Sequence, residues 1–343
     1  MQRKNMTNFK VEDRISELAK ESQLAKSTIH NMYRVLNGNK ACIKDFPFAV
    51  FIYISKEDDG HACAGSLISP NFVITAAHCL FDIGGMEVDC ENIHISAGTE
   101  KSIRESDNIY NAEKIYVHPK YNPNTSLSDL ALIKLDENIP ESIAVPTKIY
   151  DHNVTDEMHV KAAGWGLTSN SFTATISDNL NWVNLTISSS DNCKQLNPTW
   201  EDNNNYNICT TNKNGSDTCY GDSGGPLVLA CSELMPIVGV TSMGNAPGNN
   251  PHPLCGQENG VGYYTNLKYH IDWIANQTKI PLSDLLYSFK MNEKALSSFE
   301  TGRSGTIAKS DSTTISKNYK KLIGNLKAFI CIHLLIFLPL TIF

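Results

Sequence analysis

Short apolar runs rich in β-branched and aromatic residues recur through the middle of the chain: Phe48-Ala-Val-Phe-Ile-Tyr-Ile54, Asn71-Phe-Val-Ile74, Leu130-Ala-Leu-Ile-Lys-Leu135 and Pro236-Ile-Val-Gly-Val240. Gly, Pro, Asn and Ser turns separate them, which predicts the strands of an all-β barrel or sandwich rather than alternating strands and helices. One amphipathic helix is predicted near the end of this region, where Leu267, Ile271, Ile274 and Ala275 fall on one face.

The ends of the chain read differently. Residues 1–34 are charged and lack cysteine, with only a weak helical period through Val11, Ile15 and Leu18 and no apolar run of signal-peptide length. After residue 280 the composition shifts to Ser, Thr, Lys and Gly, which predicts a linker over 281–327. An apolar tail, 328–343, closes the sequence. It is short for a spanning helix, contains Pro339 and follows a polar spacer, as a GPI-anchor signal does, with a modification site near Ser312. A C-terminal membrane anchor is the alternative. Lys317, Lys320, Lys321 and Lys327 would then hold the preceding region in the cytoplasm, against the evidence of the cysteines.

Those cysteines change the picture most. The 343 residues carry ten of them, none in a C-x-x-C pair, so a disulfide framework in an oxidising compartment is expected rather than a zinc or redox module. Sequons at Asn124, Asn153, Asn184, Asn214 and Asn276 fit a secreted or cell-surface glycoprotein. With no leader visible, the translation start is expected upstream of Met1. An apolar content of 41% supports a sizeable core, and a net charge of −7 without a basic patch argues against a nucleic-acid partner.

Three motifs carry the chemistry: Thr75-Ala-Ala-His78-Cys79, Ser128-Asp129-Leu-Ala-Leu-Ile-Lys-Leu135 and Gly221-Asp222-Ser223-Gly-Gly-Pro226. A serine hydroxyl needs an adjacent base, imidazole titrates near neutrality, and a carboxylate behind it fixes the tautomer. In this order the motifs resemble the trypsin/chymotrypsin family of serine endopeptidases, over residues 35–280. The resemblance implies a catalytic triad of His78, Asp129 and Ser223, with the N–H groups of Gly221 and Ser223 forming an oxyanion hole. It implies two six-stranded antiparallel β-barrels with the triad at their junction and a C-terminal α-helix. No cofactor is implied, and no metal site is expected, since no set of carboxylates lines up at Gly98-Thr99-Glu100.

The resemblance extends further. It pairs Cys63 with Cys79, Cys193 with Cys209 and Cys219 with Cys255, leaving Cys42, Cys90 and Cys231 open. Arg34-Val35-Leu36-Asn37-Gly38 stands where the family's zymogens are cleaved, although members usually begin Ile-Val-Gly-Gly. Residues 1–34 would then be a propeptide, and the new Val35 ammonium would pair with Asp222. Asp217, six residues before Ser223, stands at the base of the primary pocket in trypsin-like members. Gly244 and Gly262 stand at its walls, and Ser242 where substrate backbone is held. Met243 replaces the usual Trp, so the neighbouring apolar subsite should differ. Expected partners are protein substrates with Arg or Lys at the cleaved position, an activating trypsin-like protease, protein protease inhibitors and, through the tail, a membrane. A catalytically silent relative acting as a binding module is the competing class, and it would not need these residues intact.

Overall fold

The protein is described by a computed structural model covering residues 38–287, apart from 57–59, 83, 231, 233 and 249–252. The expectations for Arg34, Val35, the propeptide, Cys231 and the apolar tail fall outside the described residues.

Thirteen strands make up the described fold: β1 (Asn39–Lys40), β2 (Ala49–Ile54), β3 (His61–Ser69), β4 (Phe72–Thr75), β5 (Ile93–Ala97), β6 (Ile109–Val117), β7 (Ala131–Leu135), β8 (His159–Gly164), β9 (Asn181–Thr186), β10 (Asn207–Thr211), β11 (Pro226–Leu229), β12 (Ile237–Asn245) and β13 (Val261–Asn266). The first half closes into a six-stranded antiparallel barrel in the order β2-β3-β4-β7-β6-β5. Closure comes where β5 pairs with β2, Val50 opposite Ala97 and Ile54 opposite Ile93. The runs read from the sequence are these strands. In β4 every residue is buried, because one face fills the barrel and the other meets neighbouring elements.

The second half is a sheet in the order β1-β9-β8-β11-β12-β13-β10. Its six long strands curl until an isolated bridge between Ile187 and Thr210 links the end of β9 to β10. The two-residue β1 is added at the edge against β9. The halves are locked by Phe51 and Trp165, whose rings meet edge-on at 5.5 Å, and by the Trp165 indole N–H donating to the Glu100 carbonyl at 2.9 Å.

Helices are few: α1 (Asp191–Leu196), α2 (Ile271–Thr278) and α3 (Leu282–Leu285). The sequence-derived helix is α2, which buries Ile274 and Thr278. The fold continues past the expected linker boundary at 280. Pro281 introduces α3, and Leu285, Leu286 and Tyr287 are buried, with Leu286 bridging to Ile149. A few apolar residues after a polar stretch were enough to dock this segment, and its Ser-rich neighbourhood hid it. No helix among the described residues is long and apolar enough to cross a membrane.

Candidate active site

His78 lies on a single 3-10 turn, Ala77–Leu80, directly after β4. Asp129 precedes β7, and a residue with positive φ, Ser128 at 51°, turns the chain immediately before it. The carboxylate is fully buried and takes three hydrogen bonds: from the His78 N–H to Oδ1 at 2.9 Å, from His78 Nδ1 to Oδ2 at 2.8 Å and from Ser242 Oγ to Oδ2 at 2.6 Å. Burial works against ionisation of Asp129, but the His78 charge and these donors outweigh it and hold its pKa below the ordinary 3.8. Burial likewise opposes the imidazolium of His78, yet the Asp129 charge and hydrogen bond leave its pKa above 6.5. An ionised carboxylate can only accept, so Nδ1 carries the proton and Nε2 is left with a lone pair.

Ser223 comes from the turn leading into β11. Gly224, next to it, has φ +78°, and a Cβ there would lie 2.1 Å from Thr75 Oγ1 and 2.3 Å from the Ala64 carbonyl. Only glycine lets the turn press against the first barrel this closely. The same contact fixes the nucleophile's backbone, because the Ala64 N–H donates to the Ser223 carbonyl at 2.8 Å. Asp222, 1% exposed, points the other way and accepts from the Gly166 N–H and the Cys219 N–H, each at 2.8 Å. Burial pushes its pKa up to about 7 despite these donors, with the charge of Asp217 adding to the rise. No cation pairs with it among the described residues. Neither the Gly221 nor the Ser223 N–H donates to another backbone group among the described residues.

His78, Ser223, Asp217, Ser242 and Gly244 line one cleft of about 340 Å³. Asp217 is 5% exposed, and burial raises its pKa to about 6 against the opposing effect of hydrogen bonds from the Gly256 N–H, Asn212 Nδ2 and the Thr218 N–H. Gly244 has room for a Cβ, whose nearest neighbour would be the Val261 carbonyl at 3.6 Å, so a side chain there would take up cleft volume. Gly262 is the ladder partner of Gly244 in the β12–β13 pair, where a Cβ would press on Thr210 Oγ1 at 3.1 Å. Met243, also lining the cleft, stands where the Trp was expected.

Disulfides join Cys63 to Cys79, Cys193 to Cys209 and Cys219 to Cys255, while Cys42 and Cys90 have no disulfide partner among the described residues. Cys63, His78 and Cys79 bring potential ligand atoms within 4.8 Å of one another, but both sulfurs belong to a disulfide and offer no thiolate to a metal. The sequence reading did not single out Asn212, Thr218 or Tyr220 in the cleft. Asn212 sits in a polar turn with no pattern to mark it.

A closed six-stranded barrel and a second antiparallel sheet, with a carboxylate-held imidazole and a serine in one cleft, define a serine hydrolase of the trypsin-like fold. Residues 35–274 match the family described as Trypsin, and the chain belongs to that family. It is 32% identical over 252 residues to brachyurin from Leptuca pugilator, covering 72% of this chain and 99% of that protein. Collagenase from Hypoderma lineatum is 30% identical over 253 residues, covering 72% of this chain and 88% of that protein. Coagulation factor XI from Bos taurus is 26% identical over 257 residues, but the aligned part of this chain spans only 38% of it.

Proposed function

We propose that the chain is a serine endopeptidase that cleaves after Arg or Lys, with Ser223 as nucleophile and His78 as the base and acid that moves its proton. In this reading Ser223 Oγ attacks the scissile carbonyl as its proton passes to His78 Nε2. The carbonyl oxygen becomes an oxyanion facing the Gly221 and Ser223 N–H groups. His78 then protonates the leaving nitrogen, the C–N bond breaks, and an acyl group stays on Ser223 until water repeats the steps. Asp129 holds the imidazole in the required tautomer and stabilises the imidazolium.

The observation that carries the specificity is the buried Asp217 carboxylate in the same cleft as His78 and Ser223. A carboxylate in such a site is unfavourable unless a cation joins it, and truncating one partner of a buried charge pair costs roughly 2–5 kcal/mol. A substrate Arg or Lys meets this condition and a neutral side chain does not.

The same reasoning supports a zymogen. Asp222 is buried with two N–H donors and no cation among the described residues, so an ammonium created at Val35 by cleavage after Arg34 would find a ready partner. An activating protease and protein protease inhibitors are the partners this implies. Export of a glycosylated protein is supported by the three disulfides and the sequons, and the 328–343 tail is read as a lipid-anchor signal or membrane anchor.

A positional-scanning peptide library run on enzyme cleaved after Arg34 tests the specificity. Arg and Lys should dominate at the cleaved position. A dominant Phe, Tyr or small residue would overturn the role given to Asp217 and leave the triad standing.

A further inference from the structure

Asp217 Oδ2 accepts two hydrogen bonds, from Asn212 Nδ2 and from the Gly256 N–H, each at 2.9 Å. A carboxylate oxygen has about two lone-pair positions, so Oδ2 is filled; the Thr218 N–H also bonds the carboxylate, and the acceptor positions that remain are on Oδ1. Both donors to Oδ2 are built in. Gly256 has φ +69°, and a Cβ there would lie 2.4 Å from the Gly215 carbonyl, so this close, left-handed position excludes other residues. The Cys219–Cys255 disulfide ties the two donor and acceptor segments together.

Asn212 is held just as firmly. Its N–H donates to the Gly260 carbonyl at 3.0 Å, and Nδ2 donates a second time to the Gln257 carbonyl at 3.3 Å. Two acceptors therefore face the nitrogen, and turning the amide over would set its oxygen against both. In this orientation Asn212 Oδ1 is buried without a hydrogen-bond partner among the described residues.

We propose that Asn212 is a specificity-determining positioning residue: by occupying Asp217 Oδ2 it leaves substrate a single carboxylate oxygen, so the pocket reads positive charge rather than the guanidinium fork. This rests on the assignment of Asp217 to the primary pocket. Arginine outdoes lysine at a carboxylate when its planar fork reaches both oxygens with paired hydrogen bonds. With Oδ2 taken, that advantage is lost. An ammonium, a point charge with rotatable donors, loses nothing at one oxygen. The enzyme therefore accepts Lys and Arg comparably.

The test compares kcat/KM for peptide pairs differing only in Arg or Lys at the cleaved position, using the full chain activated by cleavage after Arg34. Titration of active sites with an organophosphonate counts only competent enzyme. The wild-type Arg:Lys ratio should lie within roughly threefold of unity, and this needs no variant. In Asn212→Ala, Oδ2 becomes available, so the ratio should rise about tenfold, the worth of one added charge-assisted hydrogen bond, and the change should appear in KM with kcat kept. Asn212→Ser, which is too short to reach Oδ2 in the same way, should shift the ratio in the same direction. A wild-type enzyme already strongly biased to Arg, or a ratio unmoved in both variants, overturns the proposal. If Asp217→Ser leaves both substrates unaffected, the pocket assignment fails with it. If Asp217→Ser cuts both rates while the Asn212 variants keep the wild-type ratio, only the role of Asn212 fails.

Discussion

Ser242 Oγ donates to Asp129 Oδ2 at 2.6 Å, the same oxygen that accepts the hydrogen bond from His78 Nδ1. The contact depends on a register shift between Thr241 and Met243, where β12 pairs with β13. Ser242 is the extra residue at that bulge, which turns its side chain towards the carboxylate. Ser242→Ala should keep the fold and lower kcat/KM by about tenfold, since one hydrogen bond to a charged group is lost and substrate backbone contacts are kept. Steady-state kinetics on a Lys peptide checks this. Unchanged kcat/KM would mean that His78 alone orients Asp129.

The pH profile should carry the mark of the His78–Asp129 pair. His78 must be neutral to accept the Ser223 proton, and its pKa lies above 6.5, so activity should fall off on the acid side at a pH above that value. In Asp129→Asn the charge that raises the imidazole is gone while burial remains. The acid limb should then move below 6.5, and kcat should drop by several orders of magnitude. Measuring kcat/KM against pH for both proteins checks the direction. An acid limb that moves up in the variant would contradict it.

Asp222 should make the uncleaved precursor pH-sensitive. Its pKa is about 7 in the fold, against 3.8 as the ordinary value, so between these values the folded chain binds the proton that the unfolded chain has lost. That contribution to stability is fully present below 3.8 and is lost as pH rises to about 7, and Asp217, raised to about 6, acts in the same sense. The Tm of the precursor should therefore fall between pH 4 and pH 8 by the equivalent of a few kcal/mol. Asp222→Asn should flatten much of that slope, and cleavage after Arg34 should restore stability at neutral pH through the new ammonium. Calorimetry of the three forms tests this, and parallel slopes in all of them would count against it.

The parts that the sequence made legible are those where chemistry or burial demands a residue type. The runs around Val50, Val73, Leu132 and Val238 had to be apolar to fill a barrel, and the Gly-rich turn around Ser223 had to bring backbone against Thr75. Pairing order was not legible. Nothing in the order of residues says that β5 returns to β2, or that the second sheet is linked through Ile187 and Thr210. The bulge at Ser242 was hidden for the same reason, since it is set by its partner strand. Asn212 was missed because Asn212-Lys-Asn-Gly-Ser reads as a surface turn, and only the folded chain carries its amide to Asp217. The segment around Leu285 was missed because its apolar residues are few.

Covalent labelling tests the central claim most directly. The full chain, cleaved after Arg34, is treated with an organophosphonate carrying a basic side group and digested, and the adduct is located by mass spectrometry. One adduct per chain is expected, on Ser223, abolished in His78→Ala and absent from the uncleaved precursor. An adduct on another residue, or none in a cleaved and folded chain, would contradict it.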